Sequence, residues 1–211
     1  LEKDILLRNI HDMAEHGVKS IMFAGEGEPL LHQDLSLFVQ TAKKSGIDVS
    51  VTSNGSRYTS KKAEETLPYL SWIRFSVDAG TAGTHKEIHG TREGEFERVI
   101  SDISYAVELR NKNRYPATIG IQALLLSKNA SELQKLAERA KEIGVDNLQI
   151  KPYSKHPLSI NDLSVSYSEI TELQQKLEAM SDERFQVAFR AKTIERLYTP
   201  RDYSTCYGLS F

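Results

Sequence analysis

The sequence has 211 residues, enough to bury the core of one larger domain. Its 27 basic and 29 acidic residues nearly balance, which argues against bulk attraction to nucleic acid or to an anionic membrane. No apolar stretch approaches the roughly 20 residues of a spanning helix, and no signal-peptide pattern occurs. The single cysteine, Cys206, excludes an internal disulfide and favours a reducing compartment, so we expect a cytoplasmic protein.

Apolar periodicity predicts helices and strands in alternation along the chain. The first half is predicted to contain a helix at 2–16, a strand at 19–24, a helix at 34–45, a strand at 47–53, a short helix near 60–67 and a strand at 72–78. After a long glycine-containing loop, the second half is predicted to contain a helix at about 94–110, a strand at 117–126, a helix at 131–143, a strand at 147–153, a helix at 167–180 and a candidate strand at 185–191.

This order indicates βαβ units and a parallel sheet, either an open doubly wound sheet or a barrel. Two capping-box patterns, Asn129 with Glu132 and Ser166 with Glu169, are predicted to open the last two helices. Both architectures place ligands at the carboxyl ends of the strands. The ends of the five strands in the alternating region should therefore carry the chemistry.

All five strand ends carry polar side chains or glycine. The first strand is followed by Gly25-Glu26-Gly27-Glu28-Pro29, and the second ends in Thr52-Ser53-Asn54-Gly55. Alternation places three pairs on one face each, namely Ser76 with Asp78, Gly120 with Gln122, and Gln149 with Lys151. A single polar strand end is typical of a turn, but five together predict a site for a polar ligand.

The loop after the first strand favours a cationic group. Gly25 and Gly27 let the backbone approach a ligand closely, and Pro29 keeps Glu28 extended while lacking an N–H donor. Carbonyl oxygens and a carboxylate suit an ammonium group, whereas a phosphate cradle needs N–H donors at a helix start. The third glycine of a dinucleotide fingerprint is missing, so that interpretation is rejected.

The stretch "GEGEPLLH" resembles the Gly-Gly-Glu motif of radical S-adenosylmethionine (SAM) enzymes. Gly27, Glu28 and Pro29 match the Gly-Glu-Pro core, and Glu26 replaces the more usual glycine. "TSNG" and "FSVDA" are similar to the family's next two strand ends, and "HGTREGEFERVISDI" to the loop and helix that follow. The resemblance covers roughly 1–153.

The resemblance implies a partial parallel (β/α) barrel of about six strands over 1–191. Residues 192–211 are then the first part of a C-terminal extension. It also implies a SAM site in which the loop holds the amino group and the other rim positions hold carboxylate, ribose or adenosyl atoms. The implied cofactor-binding residues are Gly25, Glu26, Gly27, Glu28, Pro29, Ser53, Asn54, Ser76, Asp78, Gln122 and Lys151.

The family binds a [4Fe–4S] cluster through three cysteines after its first strand, a motif not found in these 211 residues. We therefore expect the first strand and cluster loop upstream of Leu1. The resemblance implies a 5′-deoxyadenosyl radical, an electron donor such as a flavodoxin or ferredoxin, and a substrate for which a peptide is one candidate. Cys206 is predicted to bind an auxiliary iron–sulfur cluster, the alternative being a lone thiol.

The residue types alone also allow two other functions. Lys151 could form a Schiff base with a carbonyl substrate, as in barrel aldolases, although neutralising a carboxylate is the favoured role. The second open function is that of a non-catalytic barrel that binds a small molecule or a peptide.

His85 and His89 are predicted to lie in a solvated loop, with substrate contact as a weaker alternative. Trp72 and Arg74 share the face of Ser76 and are predicted to pack or join an inner polar network.

Overall fold

The computed structural model describes residues 2–25, 27–153, 158, 160, 163 and 165–190. Within this part of the chain, six strands form one parallel sheet in the order in which they occur in the sequence. They are β1 (Ser20–Phe23), β2 (Asp48–Ser53), β3 (Trp72–Ser76), β4 (Thr118–Leu125), β5 (Asn147–Pro152) and β6 (Gln186–Phe189). The predicted strands, the candidate sixth included, are confirmed.

The described residues also contain seven α-helices. They are α1 (Lys3–Glu15), α2 (Leu35–Lys44), α3 (Ser60–Thr66), α4 (Ala82–His89), α5 (Glu95–Asn113), α6 (Leu133–Ile143) and α7 (Tyr167–Glu178). Glycine ends α6 as the sequence predicts, because Gly144 adopts the left-handed conformation with φ of 84°. No helix in the described residues is long and apolar enough to cross a membrane.

The prediction of a loop throughout 79–93 is wrong, since α4 lies within it. Thr81 caps α4 by accepting a hydrogen bond from the backbone N–H of Thr84, and Gly90 ends the helix. This hydroxyl cap was readable in the sequence, but the glycines around it favoured a loop.

Each strand buries one face and leaves the other partly open. The fully buried side chains include Val49, Val51, Ile73, Phe75, Ile119, Ile121, Leu148 and Ile150. The alternate positions are more polar and mostly only half-buried, as in Thr52, Arg74, Ser76, Gln122, Gln149 and Lys151. Right-handed crossovers between strands in sequential order place the helices on the buried side. The result is a partial (β/α) barrel whose inner face is polar, and the doubly wound alternative is excluded.

The capping box predicted for Asn129 and Glu132 does not form. The Asn129 amide accepts a hydrogen bond from Leu126 N (2.9 Å) and donates to the carbonyls of Asp78 (2.6 Å) and Leu124 (2.8 Å). The Glu132 carboxylate accepts hydrogen bonds from the hydroxyls of Thr81 and Thr84. Tertiary partners have replaced the local cap, and together these two side chains connect the loops after β3 and β4.

Two predictions lie at the C-terminal end of the chain. Helix α7 begins directly after Ser166 as predicted, while the side chain of Glu169 is not among those described. The proposed extension at 192–211, with Cys206, lies outside the described residues.

Candidate functional site

The carboxylate of Glu28 connects the loop after β1 to the end of β2. Its Oε1 accepts hydrogen bonds from Leu30 N (3.0 Å) and Ser53 Oγ (2.9 Å), and its Oε2 accepts one from Asn54 N (2.7 Å). We call Glu28, Leu30, Ser53 and Asn54 the Glu28 network. Because both carboxylate oxygens already have protein donors, the carboxylate fixes the loop, and backbone carbonyls remain as acceptors for an ammonium group.

The glycines of this loop face open space. A Cβ added at Gly25 or Gly27 would have no neighbour within 4 Å, and both residues are exposed. They line a pocket of about 290 Å³ together with Pro29 and apolar side chains of α1 and α2, among them Leu6 and Phe38. Glu26 lies outside the described residues. The loop thus presents bare backbone beside a pocket, as the sequence predicts for close approach of a ligand.

The strands that follow place three polar side chains in one row across the inner face. Ser76 is in register with Gln122, and Gln122 is in register with Gln149. The Oε1 atom of Gln149 is buried and has no hydrogen-bond partner in the described part of the chain. A buried amide oxygen without a donor is costly, so this atom is an acceptor available to a ligand hydroxyl or ammonium.

Asp78 sits just past the end of β3 and is tied to β4. Its Oδ1 accepts a hydrogen bond from Leu124 N (2.6 Å), and its Oδ2 lies 3.5 Å from His89 Nε2. Burial raises the pKa of Asp78, and it outweighs the opposing effects of the Leu124 hydrogen bond and the charge of His89. The side chain is 11% exposed, so a cofactor would reach little more than its Oδ2 edge.

The prediction that His85 is solvated is wrong. His85 is only 4% exposed and packs against the rings of His89 and Phe96, with centroids 4.6 Å and 5.3 Å apart. Burial, and then the charge of His89, lowers the pKa of His85. Helix α4 explains the difference, because it turns His85 inward while His89 reaches Asp78 at the rim.

Three cations occupy the inner face beside the polar row, and we call Arg74, Lys151 and Arg190 the basic cluster. The guanidinium of Arg74 stacks on the Trp72 ring at 4.8 Å, so the predicted packing of this pair is confirmed. Burial, followed by the charges of Arg190 and Arg74, lowers the pKa of Lys151. Burial and then the charge of Arg190 lowers the pKa of Arg74.

Arg190 is not among the site residues predicted from the sequence, although the strand pattern contains a signal for it. The register pairs Gln149 with Ala188, so Arg190, two residues later, falls on the same inner face. Its backbone N–H donates to the carbonyl of Ile150 (3.0 Å), which continues the pairing of β6 with β5 beside Lys151.

The structure therefore groups the predicted residues into two sets. Gly25, Gly27, Glu28, Pro29, Ser53 and Asn54 lie together around the Glu28 network, and Ser76, Gln122 and Lys151 lie on the inner face of β3 to β5. Asp78 is held between β4 and α4. In the described part of the chain, no group of three or more His, Cys, Asp or Glu side chains could bind a metal ion.

Comparison with known proteins shows the family and the fold. The Radical SAM superfamily matches residues 1–140, a span that includes the Glu28 network and β1 to β4. The chain belongs to the radical SAM superfamily. A probable GTP 3′,8-cyclase from Metallosphaera sedula is 29% identical over 196 residues, covering 92% of this chain and 56% of that protein. An S-adenosylmethionine-dependent nucleotide dehydratase from Lacinutrix mariniflava is 38% identical over 79 residues, covering 37% and 16% respectively.

Solved structures show the same architecture. Streptococcus suis SuiB bound to S-adenosylmethionine superposes with a TM-score of 0.72 at 16% identity, covering 94% of this chain and 45% of that one. The enzyme anSMEcpe with bound AdoMet has a TM-score of 0.66 at 18% identity, covering 90% and 55%. This radical SAM chain thus spans about half the length of the relatives it matches.

The glycine loop and the inner face of this radical SAM chain together fit the superfamily's cofactor, SAM. The open glycine backbone supplies acceptors for an ammonium group, and the Gln149 oxygen, which has no partner among the described residues, supplies one for a hydroxyl or ammonium group. The described residues include no cysteine, so they do not supply the thiolates that a [4Fe–4S] cluster needs.

Proposed function

We propose that this chain is the SAM-binding part of a longer radical SAM enzyme that abstracts hydrogen from its substrate. The observation that supports it most directly is the Glu28 network, which holds the glycine loop against β2 with its backbone directed to open space. Such a loop offers acceptors rather than donors, and it lies at the carboxyl edge of a parallel sheet, where ligands of this architecture bind. Membership of the superfamily supports SAM as the ligand of this loop.

The residues have separate roles in this proposal. Carbonyls of the loop from Gly25 to Pro29 accept hydrogen bonds from the SAM ammonium group, while Glu28 holds the loop in place. Ser53 and Asn54 keep the adjoining strand end in register with the loop. Ser76, Asp78 and Gln122 contact ribose, carboxylate or adenosyl atoms, and Lys151 neutralises a carboxylate of the cofactor or of the substrate. Bound SAM would supply a 5′-deoxyadenosyl radical, and the inner face would keep water from it.

The cluster and its electron donor complete the proposal. The cluster thiolates come from a part of the protein outside the described residues, and a flavodoxin or ferredoxin supplies the electron. Cys206 stays a predicted ligand of an auxiliary cluster, within the proposed extension at 192–211. A peptide stays one candidate substrate, and a solved SuiB structure is bound to its precursor peptide.

Anaerobic reconstitution tests the proposed reaction. The complete protein, loaded with iron and sulfide and reduced with dithionite, is expected to release 5′-deoxyadenosine from SAM, as measured by liquid chromatography. The same protein with Gly27→Val should release at least tenfold less, because the side chain would obstruct the ammonium subsite. No 5′-deoxyadenosine from the reconstituted wild type would refute the proposal.

A Schiff-base lyase is the second candidate, and the lowered pKa of Lys151 favours it. A neutral amine is the nucleophilic form, and burial beside two guanidinium groups increases its population at a given pH. Borohydride reduction in the presence of a carbonyl substrate, followed by peptide mass spectrometry, would detect a stable adduct on Lys151. An unmodified Lys151 across aldehydes and 2-oxo acids would exclude the lyase.

A further inference from the structure

The basic cluster is unusual because two half-buried cations lie beside a third, Arg190, which is exposed. Arg74 and Lys151 are half-buried on the inner face, and Arg190 follows β6 next to Lys151. Among the described residues, none of the three forms a salt bridge with a carboxylate. Their charges repel one another, and burial partly removes Arg74 and Lys151 from water, whereas Arg190 is exposed.

The neighbouring carboxylates in the described part of the chain do not compensate this charge. Asp78, the acidic residue closest along β3, is already committed to Leu124 N and His89. Glu28 is committed to the Glu28 network on the opposite side of the rim. Uncompensated cations held together at a cost in stability are typical of a site whose anion arrives with a ligand.

The surroundings are built to hold these cations in place. The Trp72 ring supports the Arg74 guanidinium at 4.8 Å, which limits its rotamers and directs its donors. Arg74 also lines a pocket of about 160 Å³ together with Trp72, Gly120 and Asn147. Gly120 adjoins Arg74 in register, and the Asn147 side chain packs where a Cβ of residue 120 would lie, so only glycine fits at this position beside Arg74.

We propose that Arg74, Lys151 and Arg190 form a subsite for an anionic group of the substrate, a phosphate or a carboxylate. The guanidinium groups supply paired N–H donors and Lys151 a point charge, the combination that proteins use for both groups. Assignment of this subsite to the substrate rests on the proposed function above, whereas binding of the anion does not. Because the subsite lies among the inner residues of β3, β5 and β6, the anion would be held beside the proposed SAM site.

Trp72 provides a direct measurement, since it is the only tryptophan in the sequence and touches Arg74. Titrating the 211-residue chain with pyrophosphate, and separately with a peptide of three glutamates, should change its emission saturably. Sodium chloride at matched ionic strength should not, because it only screens charge. Comparison of the two titrations distinguishes a phosphate source from a carboxylate source.

Variants assign the binding to the cluster. Lys151→Gln and Arg190→Gln should each lower the affinity for the preferred anion at least tenfold. Arg74→Gln should lower it equally, and calorimetry measures this variant because the method does not depend on Trp72. The matched control is Arg8→Gln, an exposed cation of α1, which should leave affinity within twofold. Circular dichroism verifies that each variant is folded. Absence of saturation by either anion, or equal weakening in Arg8→Gln, would overturn the proposal.

A SAM titration of the reconstituted complete protein separates this proposal from the proposed function. If the subsite serves the substrate, Arg74→Gln and Arg190→Gln keep SAM affinity within twofold. If they weaken SAM tenfold, the cluster binds the cofactor's carboxylate and the substrate assignment is wrong. Failure of SAM to bind, with anion binding intact, would refute the proposed function alone.

Discussion

The Glu28 network and the basic cluster are both polar, and residues of one sheet contribute to both, yet they differ in how their groups are satisfied. In the Glu28 network, both oxygens of one carboxylate accept hydrogen bonds from the protein, at 2.7–3.0 Å. In the basic cluster, three cations face one another with no anion among the described residues. The first arrangement stabilises the protein, and the second costs stability.

This difference separates scaffold from ligand contact. Polar groups that satisfy one another hold a loop in place and gain little from a ligand, whereas groups without partners gain most when a ligand arrives. The same distinction predicts how a substitution at each residue of the rim changes stability. Replacing a satisfied group should lower stability, and replacing an unsatisfied one should leave stability unchanged or raise it.

Asn129 should show the largest loss, because it is fully buried and makes three hydrogen bonds. Asn129→Ala removes the hydrogen bonds that its amide makes to Leu126 N and to two carbonyls, and we expect the free energy of unfolding to fall by about 3 kcal/mol. Urea unfolding measures it. The matched control is Asn113→Ala on α5, where one exposed hydrogen bond to Leu109 O is lost and about 0.5 kcal/mol or less is expected. Equal losses would contradict the structure.

Glu28→Gln should cost about 2 kcal/mol, since the new amide directs an NH2 group at donors that one carboxylate oxygen now accepts. Thermal unfolding by circular dichroism measures the loss. Glu87→Gln serves as the control, because its single exposed ion pair with Lys128 should contribute less than about 1 kcal/mol. An unchanged melting temperature in Glu28→Gln would show that the Glu28 network is not structural.

His85 should make the protein less stable in acid. Burial lowers its pKa below the unfolded value of about 6.5, so the unfolded chain binds more protons, and stability falls as pH drops through that value. We expect at most about 1 kcal/mol between pH 7.5 and 5.5. His85→Phe should flatten this part of the pH profile, although His89 and Glu95 remain nearby. A profile identical to wild type would show that His85 is not the group responsible.

Lys151→Gln should have the smallest effect and the opposite sign. Removing a cation that burial and two guanidinium groups disfavour should raise stability by less than about 1 kcal/mol, and added salt should shrink the gain. Lys141→Gln is the matched control, since Lys141 pairs with Asp182 at 2.7 Å, and it should lower stability instead. If Lys151→Gln destabilises as much as Lys141→Gln, Lys151 has a structural partner and the comparison fails.

Most of the fold follows from local pattern. Alternation predicted which strand residues face inward, and the right-handed rule for parallel crossovers brought five strand ends to one rim. The loop around Gly25 and Gly27 was recognisable because its residue types restrict backbone geometry and hydrogen-bonding capacity wherever they occur. These features depend on neighbours in the chain, so one sequence suffices for them.

The partners of polar side chains depend on distant segments, and these the tertiary structure decided. Glu28 accepts hydrogen bonds from Ser53 and Asn54, which lie 25 and 26 positions further along the chain. Asn129 donates a hydrogen bond to the carbonyl of Asp78, which lies 51 positions earlier. His85 became buried because α4 folds where glycines suggested a loop, and Arg190 joined Lys151 only through the register of β6 on β5. Periodicity specifies the face on which a residue lies, but a hydrogen bond or a charge cluster requires two segments to meet, which packing alone determines.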